Sequence, residues 1–177
     1  LEQSTCLKIL KKPSTVIALG GGSFINPTIR KAILEKSVSF HLDISLNNLD
    51  NAKKTILRNL ERMGKKEVIS HSELEKTSEN ITYTNEINSV LNSDLVIEAV
   101  PEIPDLKHKI FADLGTMTRD DCILGTNTSS LSIADIAAAS GKPDKVIGMH
   151  FFNPVPIMKL LELVKHVSCS VNKIAVA

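Results

Sequence analysis

Short aliphatic and β-branched runs alternate with longer segments of helical spacing along most of this 177-residue chain. The runs predict seven strands: Thr15–Leu19, Val38–Leu42, Ile81–Thr84, Leu95–Val100, Cys122–Thr126, Lys145–His150 and Met158–Val164. The intervening spacing predicts five helices: Ile29–Lys36, Leu46–Met63, His71–Lys76, Pro104–Leu114 and Ser132–Ala139, the last with Ser130 or Ser132 as its N-cap. Strands that alternate with helices need crossover connections, so the chain is predicted to be α/β with a mostly parallel, doubly wound sheet.

Composition excludes several classes of protein. The 21 Lys and Arg residues nearly balance 20 Asp and Glu, which argues against nucleic acid as the main partner. The apolar stretch 146–164 contains charged residues and prolines that a membrane span would not tolerate. Three widely separated cysteines form neither a disulfide framework nor a metal-ligand spacing. We therefore expect no metal and a reducing compartment, either cytoplasmic or the mitochondrial matrix.

A glycine turn and an acidic residue occupy the positions of a dinucleotide site. The first predicted strand runs into Gly20-Gly21-Gly22, and Asp43 follows the second. Gly20 and Gly22 would let the backbone approach a pyrophosphate, while Asp43 would accept hydrogen bonds from ribose hydroxyls and favour NAD over NADP. A plain loop and an ordinary strand-end aspartate remain as alternatives. The dinucleotide interpretation specifies a Rossmann-type sheet, with a helical arm after the second strand.

This glycine turn departs from the usual fingerprint. Ile25 stands where a third glycine normally allows close packing, and Pro27 falls within the expected first turns of the helix. A later helix start with Asn26 as N-cap would relieve the proline, but it would withdraw backbone donors from the pyrophosphate. The sequence therefore predicts weakened NAD affinity.

A histidine and a glutamate in the last two predicted strands can form a catalytic pair. His150 ends an apolar run and can act as a base toward a hydroxyl near neutral pH. Glu162 can reach the imidazole if residues 153–156 turn the chain back, and it would then orient and stabilise the protonated ring. A structural histidine and a solvated glutamate are the alternatives.

The motifs from residue 94 onward resemble one family. They are DLVIEAVPE (94–102), LKHKIF (106–111), TNTSSLSI (126–133), GMHFFNPVP (148–156) and MKLLE (158–162). Together they resemble the NAD-binding domain of L-3-hydroxyacyl-CoA dehydrogenases, including the short-chain 3-hydroxybutyryl-CoA enzymes. The resemblance covers residues 14–165, preceded by an extension (1–13) and followed by a divergent tail (166–177).

The resemblance implies roles for the site residues. His150 would take the proton of the 3-hydroxyl group, Glu162 would orient His150, and Ser129 would contact the substrate oxygen. Asn127 and Asn153 would lie near the nicotinamide ribose and ring, although Asn127 also fits a capped turn.

Four further residues have roles that the resemblance implies. Ala99, Glu102 and Lys107 would line the adenosine and ribose part of the NAD site, and Lys66, on the arm, would contact a coenzyme A phosphate. A solvated Glu102–Lys107 pair and a solvated basic helix face are the alternatives.

The resemblance also implies parts beyond this sequence. The family has a helical domain that supplies dimer contacts and a catalytic asparagine, and residues 151–177 are too few to hold it. We therefore expect NAD-dependent oxidation of an L-3-hydroxyacyl-CoA as the family function, in fatty acid β-oxidation or butanoate metabolism, with little turnover by this chain alone. A non-catalytic relative of the lambda-crystallin kind is the alternative.

Overall fold

The computed structural model describes residues 14–19, 37–43, 45–153, 158 and 160–170. The predicted helix Ile29–Lys36 and the glycine turn lie outside these residues. The described residues form a seven-stranded sheet flanked by helices. Its strands are β1 (Ser14–Leu19), β2 (Ser37–Leu42), β3 (Ile81–Thr84), β4 (Leu95–Glu98), β5 (Ile123–Thr126), β6 (Val146–Phe151) and β7 (Leu161–Val164).

The order of the strands fixes where a ligand can bind. It is β3-β2-β1-β4-β5-β6-β7, with all neighbours parallel except the antiparallel pair β6 and β7. The chain winds outward from β1 in one direction and then from β4 in the other. Ligands of such sheets bind at the carboxyl ends of the strands, where the winding reverses. The mostly parallel, doubly wound sheet is thus confirmed.

Four α-helices are described: α1 (Leu46–Lys65), α2 (His71–Glu79), α3 (Pro104–Met117) and α4 (Ile133–Ala139). Each begins at a residue suited to a helix start. Ser45 caps α1, Ser70 forms a capping box with Glu73 on α2, and Pro104 occupies the first turn of α3. At α4 the Ser132 side chain accepts from the backbone N–H of Asp135, which identifies Ser132 as the N-cap.

Two hydrophobic clusters cover the two faces of the sheet. Along β4, Leu95 and Ile97 point into one cluster with α1, whereas Val96 points into the other with α3 and α4. Successive strand residues point to opposite faces, so this alternation places helices on both sides. No described helix is long and apolar enough to cross a membrane.

The C-terminal end of α4 packs closely against the C-terminal part of α3. A Cβ atom added at Gly115 in α3 would lie 1.7 Å from the carbonyl oxygen of Ser140, which follows α4. Only glycine permits this approach of one backbone to the other. The contact holds together α3 and α4, the two helices that follow the loops of the candidate site.

Candidate active site

The predicted pair of His150 and Glu162 is formed by adjacent strands. His150 in β6 and Glu162 in β7 are direct partners in the antiparallel ladder. The Nδ1 atom of His150 lies 3.2 Å from the Glu162 Oε2 atom. The imidazole is mostly buried, with 20% of the side chain exposed, while 55% of the Glu162 side chain is exposed. The carboxylate is thus placed to accept a hydrogen bond from the Nδ1–H group.

Ser129 completes a line of three side chains. Its Oγ atom lies 3.1 Å from His150 Nε2, on the side of the ring opposite Glu162. When Nδ1 donates to the carboxylate, Nε2 is left with its lone pair directed at a hydroxyl. The Phe152 ring packs against the imidazole at a centroid distance of 4.6 Å. This arrangement suits general-base chemistry on an alcohol.

Asn127 ties three strand ends together. Its backbone N–H donates to the carbonyl oxygen of Glu98 over 2.8 Å, and its side-chain Oδ1 accepts from the backbone N–H of Phe151 over 2.9 Å. The side-chain amide nitrogen is therefore the group left to donate to a ligand. Asn153, the other predicted amide, is exposed just beyond β6.

Glu102 holds the turn that carries Ser129. Its Oε1 atom accepts from the Thr128 hydroxyl (2.6 Å), the Ser129 backbone N–H (2.7 Å) and the Ser130 backbone N–H (3.3 Å). Burial tends to raise the pKa of this carboxyl group. The hydrogen bonds from Thr128 and Ser129 and the contact with Lys107 outweigh that effect, so the pKa is below its ordinary value.

Lys107 is fully buried in a charge network that sequence analysis missed in part. Its Nζ atom lies 2.7 Å from Glu98 Oε1, 3.2 Å from the Val100 carbonyl oxygen and 3.2 Å from Glu102 Oε2. Glu98 is also fully buried, and its Oε2 accepts from the Thr126 hydroxyl over 2.7 Å. A lone glutamate within the aliphatic run 95–100 was the signal that a buried partner was needed. The solvated-pair alternative for Lys107 is wrong, since three acceptors surround its ammonium group.

Asp43 stands at the carboxyl end of β2, beside the point where the winding reverses. Its Oδ1 accepts from the Ser45 backbone N–H over 2.8 Å and from Asn48 Nδ2 over 3.2 Å. These bonds fix the carboxylate and leave lone pairs for further donors. Ala99, half-buried, follows β4 at the same edge.

The other predicted site residues lie away from His150 or outside the residues that the structure describes. Lys66 is exposed at the C-terminal end of α1 and is not part of the group around His150. Gly20 and Gly22 lie outside the described residues, as do Ile25, Asn26 and Pro27. Their proposed effect on NAD affinity stays a prediction.

Two of the three cysteines lie in the described part of the chain, and both are buried. Burial raises the pKa of the Cys122 thiol to about 12, which keeps it protonated. Burial also raises the pKa of Cys169. Among the described residues, no group of three or more His, Cys, Asp or Glu side chains is placed to hold a metal ion.

Comparison with known proteins assigns the family. Residues 16–177 match the family described as 3-hydroxyacyl-CoA dehydrogenase, NAD binding domain. The chain belongs to this family. The resemblance found in the sequence is thereby confirmed, and NAD is the cofactor of the family. The matched range includes residues 166–177, which sequence analysis set apart as a tail.

Two curated relatives of this family member are named as hydroxyacyl-CoA dehydrogenases. The chain is 33% identical over 160 residues to a 3-hydroxybutyryl-CoA dehydrogenase of Bradyrhizobium diazoefficiens, covering 90% of the chain and 54% of the relative. It is 37% identical over 164 residues to the mitochondrial hydroxyacyl-coenzyme A dehydrogenase of Rattus norvegicus, covering 89% and 52%. The chain thus spans about half the length of these curated relatives.

A solved structure supports the same assignment. The (S)-3-hydroxybutyryl-CoA dehydrogenase of Ralstonia eutropha superposes with a TM-score of 0.84 at 32% identity, covering 93% of this chain and 58% of that one. The Rossmann-type fold of this family member is confirmed.

The described residues fit the NAD expected of the family. A fixed carboxylate at Asp43, the small Ala99 and the amide of Asn127 all lie at the carboxyl edge of the sheet, following β2, β4 and β5. Carboxylate acceptors for ribose hydroxyls and an amide donor are the groups that a dinucleotide requires there.

Proposed function

We propose that this chain carries the NAD-binding and proton-accepting part of an enzyme that oxidises an L-3-hydroxyacyl-CoA to the 3-ketoacyl-CoA. The observation that supports this most strongly is the line of Ser129, His150 and Glu162, with contacts of 3.1 and 3.2 Å. Ser129 shows that an alcohol oxygen fits against Nε2 at hydrogen-bond distance. A substrate hydroxyl bound beside it would donate its proton to the same nitrogen.

The residues of the chain divide the reaction between them. His150 Nε2 takes the hydroxyl proton as the C3–H bond breaks. NAD, when bound, supplies the acceptor for the hydride from C3. Glu162 stabilises the imidazolium that results, because its carboxylate faces Nδ1. Ser129 holds the substrate oxygen in line with the base.

The remaining predicted residues are proposed as binding groups. Asp43 would accept hydrogen bonds from the adenosine ribose, and Gly20 and Gly22 would approach the pyrophosphate. Ala99 and Glu102 would form the wall of the NAD site, with Asn127 and Asn153 near the nicotinamide end. Lys107 is fully buried, so it would support Glu102 from the interior and would not touch the cofactor. Lys66 would contact a phosphate of coenzyme A through a charge-assisted hydrogen bond.

A reducing compartment, either the cytoplasm or the mitochondrial matrix, fits the buried free thiols of Cys122 and Cys169.

A single-turnover assay tests the activity. The purified chain in excess over NAD is mixed with L-3-hydroxybutyryl-CoA, and NADH is followed by absorbance. We expect slow NADH formation that His150→Asn abolishes. His71→Asn is the matched control, since His71 forms an exposed pair with Glu75 at 3.3 Å on α2, away from the site.

The two negative results have different meanings. NAD binding without any NADH formation would contradict the dehydrogenase proposal and support a non-catalytic dinucleotide-binding protein. Equal NADH formation by the unmutated chain and His150→Asn would overturn the role of His150 as the base.

Cofactor choice has its own test at Asp43. Replacement by Asn removes a charged acceptor, and a hydrogen bond to a charged group contributes about 1.5–3 kcal/mol. We expect Asp43→Asn to weaken NAD binding roughly 10- to 100-fold in titration calorimetry and to narrow the preference over NADP. Asp113→Asn, on the exposed side of α3, is the control. An unchanged NAD affinity in Asp43→Asn would place the ribose elsewhere.

A further inference from the structure

We infer that Glu102 is a positioning residue that sets the contact between Ser129 and His150, in addition to any part it takes in binding NAD. The inference rests on the proposed function of Ser129 and His150. Glu102 touches neither the imidazole nor the serine hydroxyl in the structure. It acts on them through the backbone of the turn that follows β5.

One carboxylate oxygen of Glu102 accepts hydrogen bonds from three consecutive residues of the turn, 128–130. Its Oε1 accepts from Thr128 Oγ1, Ser129 N and Ser130 N at 2.6, 2.7 and 3.3 Å. Ser129 and Ser130 are exposed, so packing does not fix them. Their backbone N–H groups are instead held by a charged acceptor, which makes stronger hydrogen bonds than a neutral one. The position of Ser129 therefore depends on the position of this oxygen.

The Thr128 hydroxyl extends this hydrogen-bond network to Leu131. While donating to Glu102, it accepts from the Leu131 backbone N–H over 3.0 Å and weakly from Ser130 N over 3.4 Å. A hydroxyl group has one proton and two lone pairs, so all three bonds can form together. The turn is thus tied to Glu102 from Thr128 to Leu131.

The second oxygen of Glu102 is anchored in the interior. Its Oε2 lies 3.2 Å from the ammonium of Lys107, which is itself held by buried Glu98 at 2.7 Å and by the Val100 carbonyl oxygen at 3.2 Å. The three protons of the ammonium therefore have three acceptors. Glu98 belongs to β4, so the sheet fixes Lys107, Lys107 fixes Glu102, and Glu102 fixes the Ser129 turn.

The charge of Glu102 is required on both sides. Its carboxylate accepts from the turn at one oxygen and from an ammonium at the other. A glutamine at this position has one accepting and one donating end, so either the turn or Lys107 would face a second donor. Glu102→Gln keeps the size of the side chain but should loosen the turn, either because the NH2 group faces the turn or because it faces Lys107 and the side chain loses its anchor.

The first experiment does not depend on catalysis. In the ¹⁵N-labelled full chain, the imidazole Nε2 resonance of His150, assigned with His150→Asn, reports the contact with Ser129. Ser129→Ala defines the shift that loss of the hydroxyl causes. We expect Glu102→Gln to move the Nε2 resonance in the same direction, while Asp113→Asn leaves it unchanged.

A second variant guards against misfolding. Glu102→Asp keeps the negative charge near Lys107 but withdraws the carboxylate by one methylene group from the turn. It is measured where its circular dichroism matches that of the unmutated chain, and the same shift is expected. If neither Glu102→Gln nor Glu102→Asp moves the Nε2 resonance, the inference is overturned. If Glu102→Gln does not fold, the His150 Nε2 resonance of Glu102→Asp alone decides whether the inference stands.

Kinetics separate positioning from cofactor binding. A displacement of about 1 Å in a reacting group costs on the order of 100-fold in rate, so we expect Glu102→Gln to lower the single-turnover rate about 100-fold at saturating NAD. A larger NAD dissociation constant with an unchanged saturated rate and an unmoved resonance would show that Glu102 only binds NAD. If the unmutated chain forms no NADH, the proposed function fails, while the resonance test still judges the positioning role.

Discussion

Glu162 lies directly opposite His150 in the antiparallel ladder of β6 and β7, with its carboxylate 3.2 Å from the imidazole Nδ1. Opposite residues of such a ladder have their side chains on the same face of the sheet. Hydrogen bonds between the two backbones therefore place the base and its orienting carboxylate together. The register between β6 and β7 therefore decides whether the pair forms.

Replacement of Glu162 by Gln should lower the single-turnover rate about 100-fold, since the amide no longer stabilises the imidazolium. Stopped-flow NADH absorbance measures the effect at saturating NAD. Glu75→Gln supplies the control, because Glu75 faces His71 in an exposed pair outside the site. Equal rates for Glu162→Gln and the unmutated chain would show that the ladder pair is only structural.

Much of the fold could be predicted because local pattern and tertiary structure agree. The Leu46–Met63 pattern became α1 (Leu46–Lys65), since its apolar stripe faces the sheet. Other boundaries needed the tertiary structure. The run 95–100 ends as a strand at Glu98, where the side chain turns inward and accepts the Val100 backbone N–H over 2.7 Å. The short 3₁₀ helix Ile87–Val90 lacks a side-chain cap and gave no periodic signal.

The site was predictable residue by residue but not as a network. The sequence pattern suggested His150 and Glu162 as a pair, the resemblance added Ser129, and the structure brings all three together. The link from Glu98 through Lys107 to Glu102 joins a strand, a helix and a loop. Such a link depends on how α3 lies against β4, which no local pattern encodes.

Replacement of Lys107 by Met should destabilise the chain by about 3–5 kcal/mol, because it leaves the buried Glu98 carboxylate without its counter-charge. Urea unfolding followed by circular dichroism measures the loss. Lys109→Met is the control, since Lys109 is exposed on the same helix and should change stability by less than about 0.5 kcal/mol. A similar small effect for both variants would contradict the buried ion pair.

Acid stability should depend on Glu102. The pKa of this group is below its ordinary value of 4.5, so folding is favoured by its ionised form. Its contribution is complete above the unfolded pKa and is lost as the pH falls through the lower, folded pKa. In urea titrations between about pH 5 and pH 3, Glu102→Gln should show a shallower fall in unfolding free energy than the unmutated chain. Parallel curves would argue against the depressed pKa.

Two glycine-to-alanine changes should have opposite effects. At Gly115 the new Cβ would overlap the Ser140 carbonyl, so Gly115→Ala should cost about 1–3 kcal/mol or more. At Gly64 in α1 the nearest atom is Leu74 Cδ1 at 3.5 Å, an ordinary contact. Alanine favours helix there by roughly 0.5–1 kcal/mol, so Gly64→Ala should be neutral or stabilising in the same urea assay. If Gly115→Ala is equally well tolerated, α3 and α4 do not pack as described.

The buried ion pair of Lys107 and Glu98 allows α3 only one position on the sheet. The other buried residues of the helix, such as Phe111 and Leu114, make aliphatic and aromatic contacts that a shifted helix can partly replace. A slip of one helical turn, about 5.4 Å, would separate the ammonium from its carboxylate and leave two charges without partners in the interior. We therefore expect shifted positions of α3 to be too high in free energy to persist during folding. The Ser129 turn would then be aligned once α3 has packed in its native position.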